Sequence, residues 1–197
     1  QELEFQKESP SMAAYYSQVT IVTEPAVRRV KHILIKLSDE DTEEITKLRQ
    51  ENKNEEADKL RDDKLKNIKN KADNVLSEVK AGEDFETLMN KHGEDPGMKN
   101  EDYKEGYKML RDASMRREFI EASFQLKEGE TSDLVVTDNG YHIIKAYEAT
   151  EDVITSLDDL KDEIQTVLLN QKKNEKANGF IEEWVGQANI KKYDRRL

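Results

Sequence analysis

The most clearly patterned segment of the chain is a run of apolar and β-branched residues at 28–37, Arg-Arg-Val-Lys-His-Ile-Leu-Ile-Lys-Leu. The run is too short for a typical helix and predicts a buried strand. Because side chains alternate along a strand, Val30, His32 and Leu34 are expected on one face. A histidine among apolar residues makes this face the first candidate for chemistry.

Helical periodicity follows the strand. Residues 38–66 are highly charged with sparse apolar positions, which is typical of a projecting or two-part helical arm, and the simplest interpretation is a solvated insertion without activity. Denser apolar spacing at 68–79 predicts a helix that stops at Gly82. Asp84 is then expected to cap a short helix that ends near His92.

Turn signals separate the next elements. Glu94-Asp95-Pro96-Gly97 predicts a turn, and the chain is expected to stay in a polar loop to Gly106. A helix that opens at Ser114 or a neighbour would place Met115 and Phe119, four residues apart, on the same face.

A hairpin is predicted at the end of this region. Asp138-Asn139-Gly140 lies between apolar segments at 134–137 and 141–147, and such a pair of residues before glycine favours a tight turn between strands. The order strand, helices, strand, strand is typical of a small α+β domain.

The two ends of the chain have different patterns. Residues 1–27 form a mixed lead-in with a short helix predicted at 11–17. From Ser156, apolar residues recur at helical spacing and predict a long amphipathic helix, which Asn178-Gly179 is expected to break or kink. Two interpretations stay open: the helix docks on its own domain, or it forms an apolar groove with a region that precedes residue 1.

Composition narrows the function classes. The 197 residues include 43 acidic and 32 basic side chains, a net charge of -11, which disfavours nucleic acid as a partner. Cysteine is absent, which excludes disulfides and cysteine nucleophiles. The chain has no apolar run of about 18 residues and no signal-peptide pattern, so we expect a mature or trimmed chain.

Histidine is scarce, with three residues in the whole chain, at 32, 92 and 142. So few imidazoles make a histidine-rich metal site improbable, and we expect neither a metal nor a cofactor. His92 is interpreted as a helix-end histidine beside the carbonyl dipole.

Several short motifs together carry a family resemblance. In chain order they are Lys31-His32-Ile33-Leu34, Gly82-Glu83-Asp84-Phe85, Glu94-Asp95-Pro96-Gly97, Met115 to Phe119 with Ala122-Ser123-Phe124, Gly129-Glu130, and Gly140-Tyr141-His142-Ile143-Ile144-Lys145. In this order the chain resembles the parvulin family of peptidylprolyl isomerases, and within it the PrsA-type extracytoplasmic foldases of Gram-positive bacteria.

That resemblance implies an architecture. We expect an α+β, parvulin-like isomerase domain at 28–148, with a small antiparallel sheet, surrounding helices and a charged helical insertion at about 38–66. The lead-in at 1–27 is expected to belong to a truncated chaperone region, and residues 149–197 to form a C-terminal helical chaperone segment.

The resemblance also implies a site. His32 and His142 resemble the two histidines of the family's active-site core, Asp95 falls where parvulins carry cysteine or aspartate, and Thr137 corresponds to the hydroxyl near the second histidine. The implied catalytic residues are therefore His32, Asp95, His142 and Thr137. The histidine pair either tunes the reacting amide or simply holds adjacent strands together, and both interpretations stay open.

The substrate pocket departs from the family in one segment. Met115 and Phe119 match the apolar pair that lines the proline pocket. Residues 100–110 lack the usual Gly-Gly-Asp-Leu-Gly-Trp-Phe-like pattern and with it the leucine that walls the pocket. Tyr107 or Met109 is expected to take its place.

The implied function is peptidylprolyl cis–trans isomerisation that assists the folding of exported proteins. The expected partners are proline-containing peptides and unfolded or partly folded secreted proteins. The protein itself is expected outside the cytoplasm, either as a lipoprotein at the membrane surface or as a secreted protein. The helical segments are candidates for a homodimer contact. Acidic residues at 38–44 disfavour phosphorylated substrates. The alternative function is a catalytically weak or silent parvulin-fold chaperone that binds unfolded clients.

Overall fold

The computed structural model describes residues 1–188 of the chain; the end of the C-terminal segment expected at 149–197 lies outside the described residues. The helices are α1 (Glu2–Glu8), α2 (Pro10–Tyr16), α3 (Asp39–Gln50), α4 (Asn54–Lys80), α5 (Phe85–His92), α6 (Arg117–Gln125) and α7 (Leu157–Gln187). The strands are β1 (Val22–Glu24), β2 (Arg28–Lys36), β3 (Tyr107–Met109), β4 (Val135–Thr137), β5 (Gly140–Ala149) and β6 (Val153–Ile154). The fold is α+β, as predicted.

The main sheet has four antiparallel strands in the order β3-β2-β5-β4. The strand predicted at 28–37 and the hairpin predicted around Asn139 are confirmed as β2 and as β4–β5. Strands β2 and β5 form the centre of this sheet, where His32 pairs with Ile144 and Leu34 pairs with His142. The loop predicted to reach Gly106 is followed by β3, a strand too short to leave a pattern in the sequence.

The two faces of this sheet pack against different helices. Ile33 and Ile143 are fully buried on the face that α3, α4 and α5 cover. Val30 and Ile144 are fully buried on the opposite face, against α6. Each of these side chains contributes roughly 1.5–3 kcal/mol of burial free energy. His32 alternates with Ile33 and therefore lies on the α6 face, with Val30 as predicted.

The charged insertion at 38–66 is a helical hairpin that packs on the sheet. Its sparse apolar residues Ile45, Ala57 and Leu65 are all buried in the same core as Ile33. The two-part arrangement is confirmed, but the hairpin does not project, because these few side chains suffice to cover the sheet. The helix predicted at 68–79 is likewise the second half of α4 rather than a separate element.

An arginine connects the insertion to the β4–β5 turn. Arg49, at the end of α3, donates from Nη2 and Nε to the two carboxylate oxygens of Asp138, at 3.0 and 3.2 Å. The same Nη2 reaches Asp58 at 2.6 Å. Asp138 lies between Thr137 and Asn139 and is buried. The insertion therefore holds the turn that carries Thr137.

The segments before β2 and after β5 pair in a second, two-stranded sheet of β1 and β6. Helix α7 follows this sheet. Ser156 caps α7 by accepting from the Asp159 amide. The helix then continues through Gly179, so the predicted break there is wrong. Of its described residues Leu160 alone is buried, which argues against a helix docked on its own domain. The exposed apolar residues are Leu157, Leu168, Leu169, Phe180, Ile181, Trp184 and Val185.

Within residues 1–188, no helix has the length and apolar character needed to cross a bilayer.

The Arg49–Asp138 pair predicts a stability effect. In Arg49→Met the buried carboxylate of Asp138 keeps only longer contacts, to Arg61 at 3.7 Å and Arg116 at 3.4 Å. We expect the free energy of unfolding, measured by urea denaturation, to fall by about 1–3 kcal/mol. Lys53→Met is the matched control, because it removes an exposed ion pair with Glu51 and should change little. Equal effects of the two substitutions would contradict the assignment.

Candidate active site

A cavity of about 520 Å³ opens on the α6 face of the sheet. Strands β2, β4 and β5 supply its histidines and hydroxyl, the segment before α6 supplies one wall, and the loop after α5 supplies the carboxylate. The residues that line it are His32, Leu34, Asp95, Tyr103, Tyr107, Ser114, Met115, Arg116, Phe119, Thr137, Asn139 and His142. Seven of the eight site residues predicted from the sequence are among them.

Phe119 is the apolar floor of this cavity. Its ring meets His32 and His142 edge to face, with centroid distances of 5.1 and 5.3 Å. Met115 lies beside it and is partly exposed. The helix begins at Arg117, so the prediction that Met115 and Phe119 share a helical face is wrong. The chain instead bends at Ser114 and Met115, before the extended N-cap residue Arg116, and both side chains line the cavity.

The polar side of the cavity is a continuous chain of hydrogen bonds. Thr137 Oγ1 lies 2.8 Å from His142 Nε2. His142 Nδ1 lies 3.0 Å from His32 Nδ1, and the two rings stack with an interplanar angle of 15°. His32 Nε2 lies 2.9 Å from Asp95 Oδ2. Tyr107 donates its hydroxyl to the same carboxylate oxygen at 2.8 Å.

The carboxylate of Asp95, at one end of this series of hydrogen bonds, is held ionised. Burial acts to raise the pKa of Asp95, but the hydrogen bonds from His32 and Tyr107 outweigh it and hold the pKa well below its ordinary value. The Met98 amide also donates to this carboxylate. An ionised carboxylate is only an acceptor, so His32 must donate from Nε2.

This requirement sets the direction of the remaining hydrogen bonds. With both imidazoles neutral, His32 Nδ1 accepts from His142 Nδ1, and His142 Nε2 accepts from the Thr137 hydroxyl. Thr137 Oγ1 in turn accepts from the Asn139 amide at 3.1 Å. Every ring nitrogen therefore has a partner, although both histidines are about 95% buried.

Of the two residues expected to replace the missing leucine, Tyr107 lines the cavity and Met109 does not. Tyr107 lies against His32 with a centroid distance of 5.8 Å, and burial together with Asp95 raises the pKa of its phenol. Gly97 makes room for the phenol, because a Cβ there would overlap the hydroxyl oxygen. Met109 lies two residues along β3, roughly 7 Å away, and is buried in the core with Phe124.

Four lining residues escaped the sequence analysis: Tyr103, Ser114, Arg116 and Asn139. Ser114 and Arg116 each adjoin Met115, a predicted site residue, and that adjacency was the one available signal for them. His92, interpreted as a helix-end residue, ends α5 and lies 3.2 Å from Glu78, away from the cavity.

Comparison with known proteins identifies the family. Residues 32–148, more than half of the chain, match the family model described as Rotamase, the PPIC-type PPIase domain. The chain therefore belongs to the PPIC-type family of peptidylprolyl isomerases, and the resemblance to parvulins found in the sequence is confirmed.

The curated relatives are foldases named PrsA. The foldase protein PrsA of Clostridium botulinum strain Hall is 32% identical over 133 residues, which cover 68% of this chain and 40% of the relative. The foldase protein PrsA of Caldanaerobacter subterraneus is 33% identical over 126 residues, 64% of this chain and 40% of the relative. The chain thus corresponds to about two fifths of these proteins.

Solved structures with partial similarity include a peptidylprolyl isomerase and a SurA-like chaperone. PrsA from Bacillus anthracis matches with a TM-score of 0.43 and 24% identity, over 86% of this chain and 63% of that one. A SurA-like chaperone of Campylobacter jejuni matches with a TM-score of 0.45 and 20% identity, over 94% of this chain and 64% of that one.

The buried histidine predicts a pH dependence of stability. Burial, together with the neighbouring His32, lowers the pKa of His142 from 6.5 to about 3. Below pH 6.5 the unfolded chain takes up a proton that the folded chain does not, so stability is lost as pH falls toward 3. Between pH 6 and 4.5 we expect the free energy of unfolding to fall by about 1.4 kcal/mol per pH unit. The lowered pKa of Asp95 adds to the loss only below about 4.

Urea denaturation across this range measures the slope. His142→Asn should flatten it, whereas His92→Asn, which removes a partly exposed histidine, should leave it unchanged. NMR titration of the wild-type imidazoles provides a readout that needs no variant. A His142 ring that protonates near pH 6.5 in the folded protein would overturn the prediction.

Proposed function

We propose that this chain catalyses cis–trans isomerisation of X-Pro peptide bonds in the cavity at Phe119. The observation that carries the proposal is an apolar floor directly beside a hydrogen-bonded chain that ends in an ionised carboxylate. The pyrrolidine ring of proline would pack on Phe119 and Met115. The carbonyl before the proline would then lie next to Asp95 and His32.

The reaction requires no covalent step. Rotation about the amide faces a barrier of about 18–20 kcal/mol because the C–N bond has partial double-bond character. A catalyst must bind the twisted amide better than either planar form. In the planar amide, resonance places negative charge on the carbonyl oxygen. The ionised Asp95 beside that oxygen disfavours this charge, and with it the resonance that opposes rotation.

The proposed catalytic residues divide into two roles. Asp95 acts on the amide through its charge, and His32 and Tyr107 hold it by donating to one oxygen. His142 and Thr137 lie further along the same series of hydrogen bonds, away from the carboxylate, and fix the orientation of His32. This arrangement supports a positioning role for the histidine pair, in addition to its contribution to the sheet.

We extend the proposal from the domain to the larger protein. The division into an isomerase domain at 28–148, flanked by segments at 1–27 and 149–197 that belong to a chaperone region, is supported by the pairing of β1 with β6 beside the main sheet. The relatives' name, foldase protein PrsA, supports unfolded exported proteins as clients and a place outside the cytoplasm. A homodimer through the helical segments is part of the same proposal.

A second candidate function rests on α7. A chaperone with a weak isomerase site would bind clients through apolar surface, and the end of α7 exposes Phe180, Ile181, Trp184 and Val185, each more than half exposed. Exposed apolar clusters of this kind mark binding surfaces in soluble proteins. The two functions are compatible, because the cavity and α7 are separate parts of the chain.

Isomerase activity predicts a loss at Asp95. In Asp95→Ala we expect the rate of cis-to-trans conversion of unphosphorylated X-Pro peptides to fall by roughly a hundredfold, the size of the loss when one preorganised polar group is removed from an oxyanion hole. Asp133→Ala is the matched control, an exposed carboxylate outside the cavity. Circular dichroism must show both variants folded. Full activity in a folded Asp95→Ala protein would refute the role of the carboxylate.

Client binding predicts a separable loss at α7. In the double variant Phe180→Ser, Trp184→Ser we expect suppression of client aggregation, followed by light scattering, to disappear while X-Pro isomerisation stays at the wild-type rate. Lys172→Ser with Lys173→Ser controls for changes on the polar part of the same helix. Unchanged suppression in the apolar double variant would exclude α7 as the client surface.

A further inference from the structure

The charged side chains that line the cavity differ in how many hydrogen-bond partners they have. Among the described lining residues, Asp95 and Arg116 carry the formal charges at neutral pH. Asp95 is surrounded by donors from His32, Tyr107 and Met98. Arg116 has a side chain that is 44% exposed and reaches Asp138 through Nη1 at 3.4 Å, a distance at the limit of a hydrogen bond.

The contact with Asp138 uses only part of the hydrogen-bonding capacity of the Arg116 guanidinium. Arg49 already occupies both of its carboxylate oxygens, at 3.0 and 3.2 Å. Arg61 lies near the same group at 3.7 Å. A guanidinium has five N–H donors, so the contact from Nη1 leaves further donors on a side chain that lines the cavity. The ion pair orients Arg116 without neutralising its capacity to bind an anion.

The backbone at Arg116 is well anchored. Its carbonyl accepts from the amides of Phe119 and Ile120, at 3.0 and 3.1 Å, in the first turn of α6. The residue before it, Met115, and the residue three positions after it, Phe119, both line the cavity. The guanidinium is therefore attached close to the apolar floor, within reach of a side chain adjacent to a bound proline.

From this geometry we infer that Arg116 is a specificity-determining residue that selects substrates with a carboxylate side chain next to the proline. The inference rests on the proposed isomerase function and names the substrate class of that site. The carboxylate of a glutamate before or after the proline would accept from the Arg116 guanidinium while the ring sits on Phe119. Arg116 is a binding residue in this scheme and takes no part in the rotation itself.

The charge of the whole chain opposes this preference and makes its test sharper. A net charge of -11 repels acidic peptides at long range. At 0.15 M salt that repulsion is screened beyond about 8 Å, whereas a direct guanidinium–carboxylate contact persists. A preference for acidic peptides on so acidic a protein must therefore come from a local cation.

The experiment compares X-Pro isomerisation rates on matched peptides at 0.15 M salt. One pair differs before the proline, Ala-Glu-Pro-Phe against Ala-Gln-Pro-Phe, and a second pair differs after it, Ala-Pro-Glu-Phe against Ala-Pro-Gln-Phe. Wild-type protein is compared with Arg116→Gln and with Arg117→Gln. Arg117→Gln is the matched control, because it removes the same charge one residue away, from a side chain that is 87% exposed and paired with Glu121.

We expect kcat/KM of the wild type to favour the glutamate peptide of at least one pair about two- to fivefold, the range of a partly exposed ion pair. Arg116→Gln should abolish this ratio, and Arg117→Gln should preserve it. Equal rates on glutamate and glutamine peptides, or a preference that survives Arg116→Gln, would overturn the inference. If folded wild-type protein accelerates none of the four peptides, the proposed isomerase function itself fails.

Discussion

The antiparallel pairing of β2 with β5 is the constraint on which the site depends. It pairs Leu34 with His142 and His32 with Ile144, so the two histidines are diagonal neighbours on one face of the sheet. Their Nδ1 atoms then meet at 3.0 Å. A shift of one residue in this register would place the two imidazoles on opposite faces of the sheet, one of them among the isoleucines that pack on α4.

Burial of these polar groups costs little because their hydrogen bonds form a continuous series that leaves no ring nitrogen without a partner. Thr137 lies at one end and Asp95 at the other, and each ring nitrogen between them has a partner. An unpaired nitrogen at this depth would cost about 1–3 kcal/mol. The same succession orients an ionised carboxylate toward an apolar floor, so the features that stabilise this part of the fold also give the cavity its chemistry.

Much of this site was accessible from the sequence. The apolar run at 28–37 predicted the strand and the face of His32, and Asn139 before glycine predicted the hairpin that carries Thr137 and His142. The family resemblance supplied Asp95 and the apolar pair at 115 and 119. Local patterns could not reveal β3, because three residues are too few for a detectable alternation, and so the sequence could not distinguish Tyr107, which lines the cavity, from Met109, which lies in the core.

The α+β class, the central strands and the capped helices could be predicted from the sequence because they follow from local periodicity and short motifs, and the site residues could be predicted from the family resemblance that those motifs carry. Three features become visible in the folded chain alone: the charged insertion packs on the sheet, Arg49 reaches Asp138, and Arg116 lines the cavity. These contacts join residues far apart in the chain or depend on a turn before α6. Charged side chains can point to solvent or to a partner with almost equal ease, so their pattern along the chain does not distinguish the two.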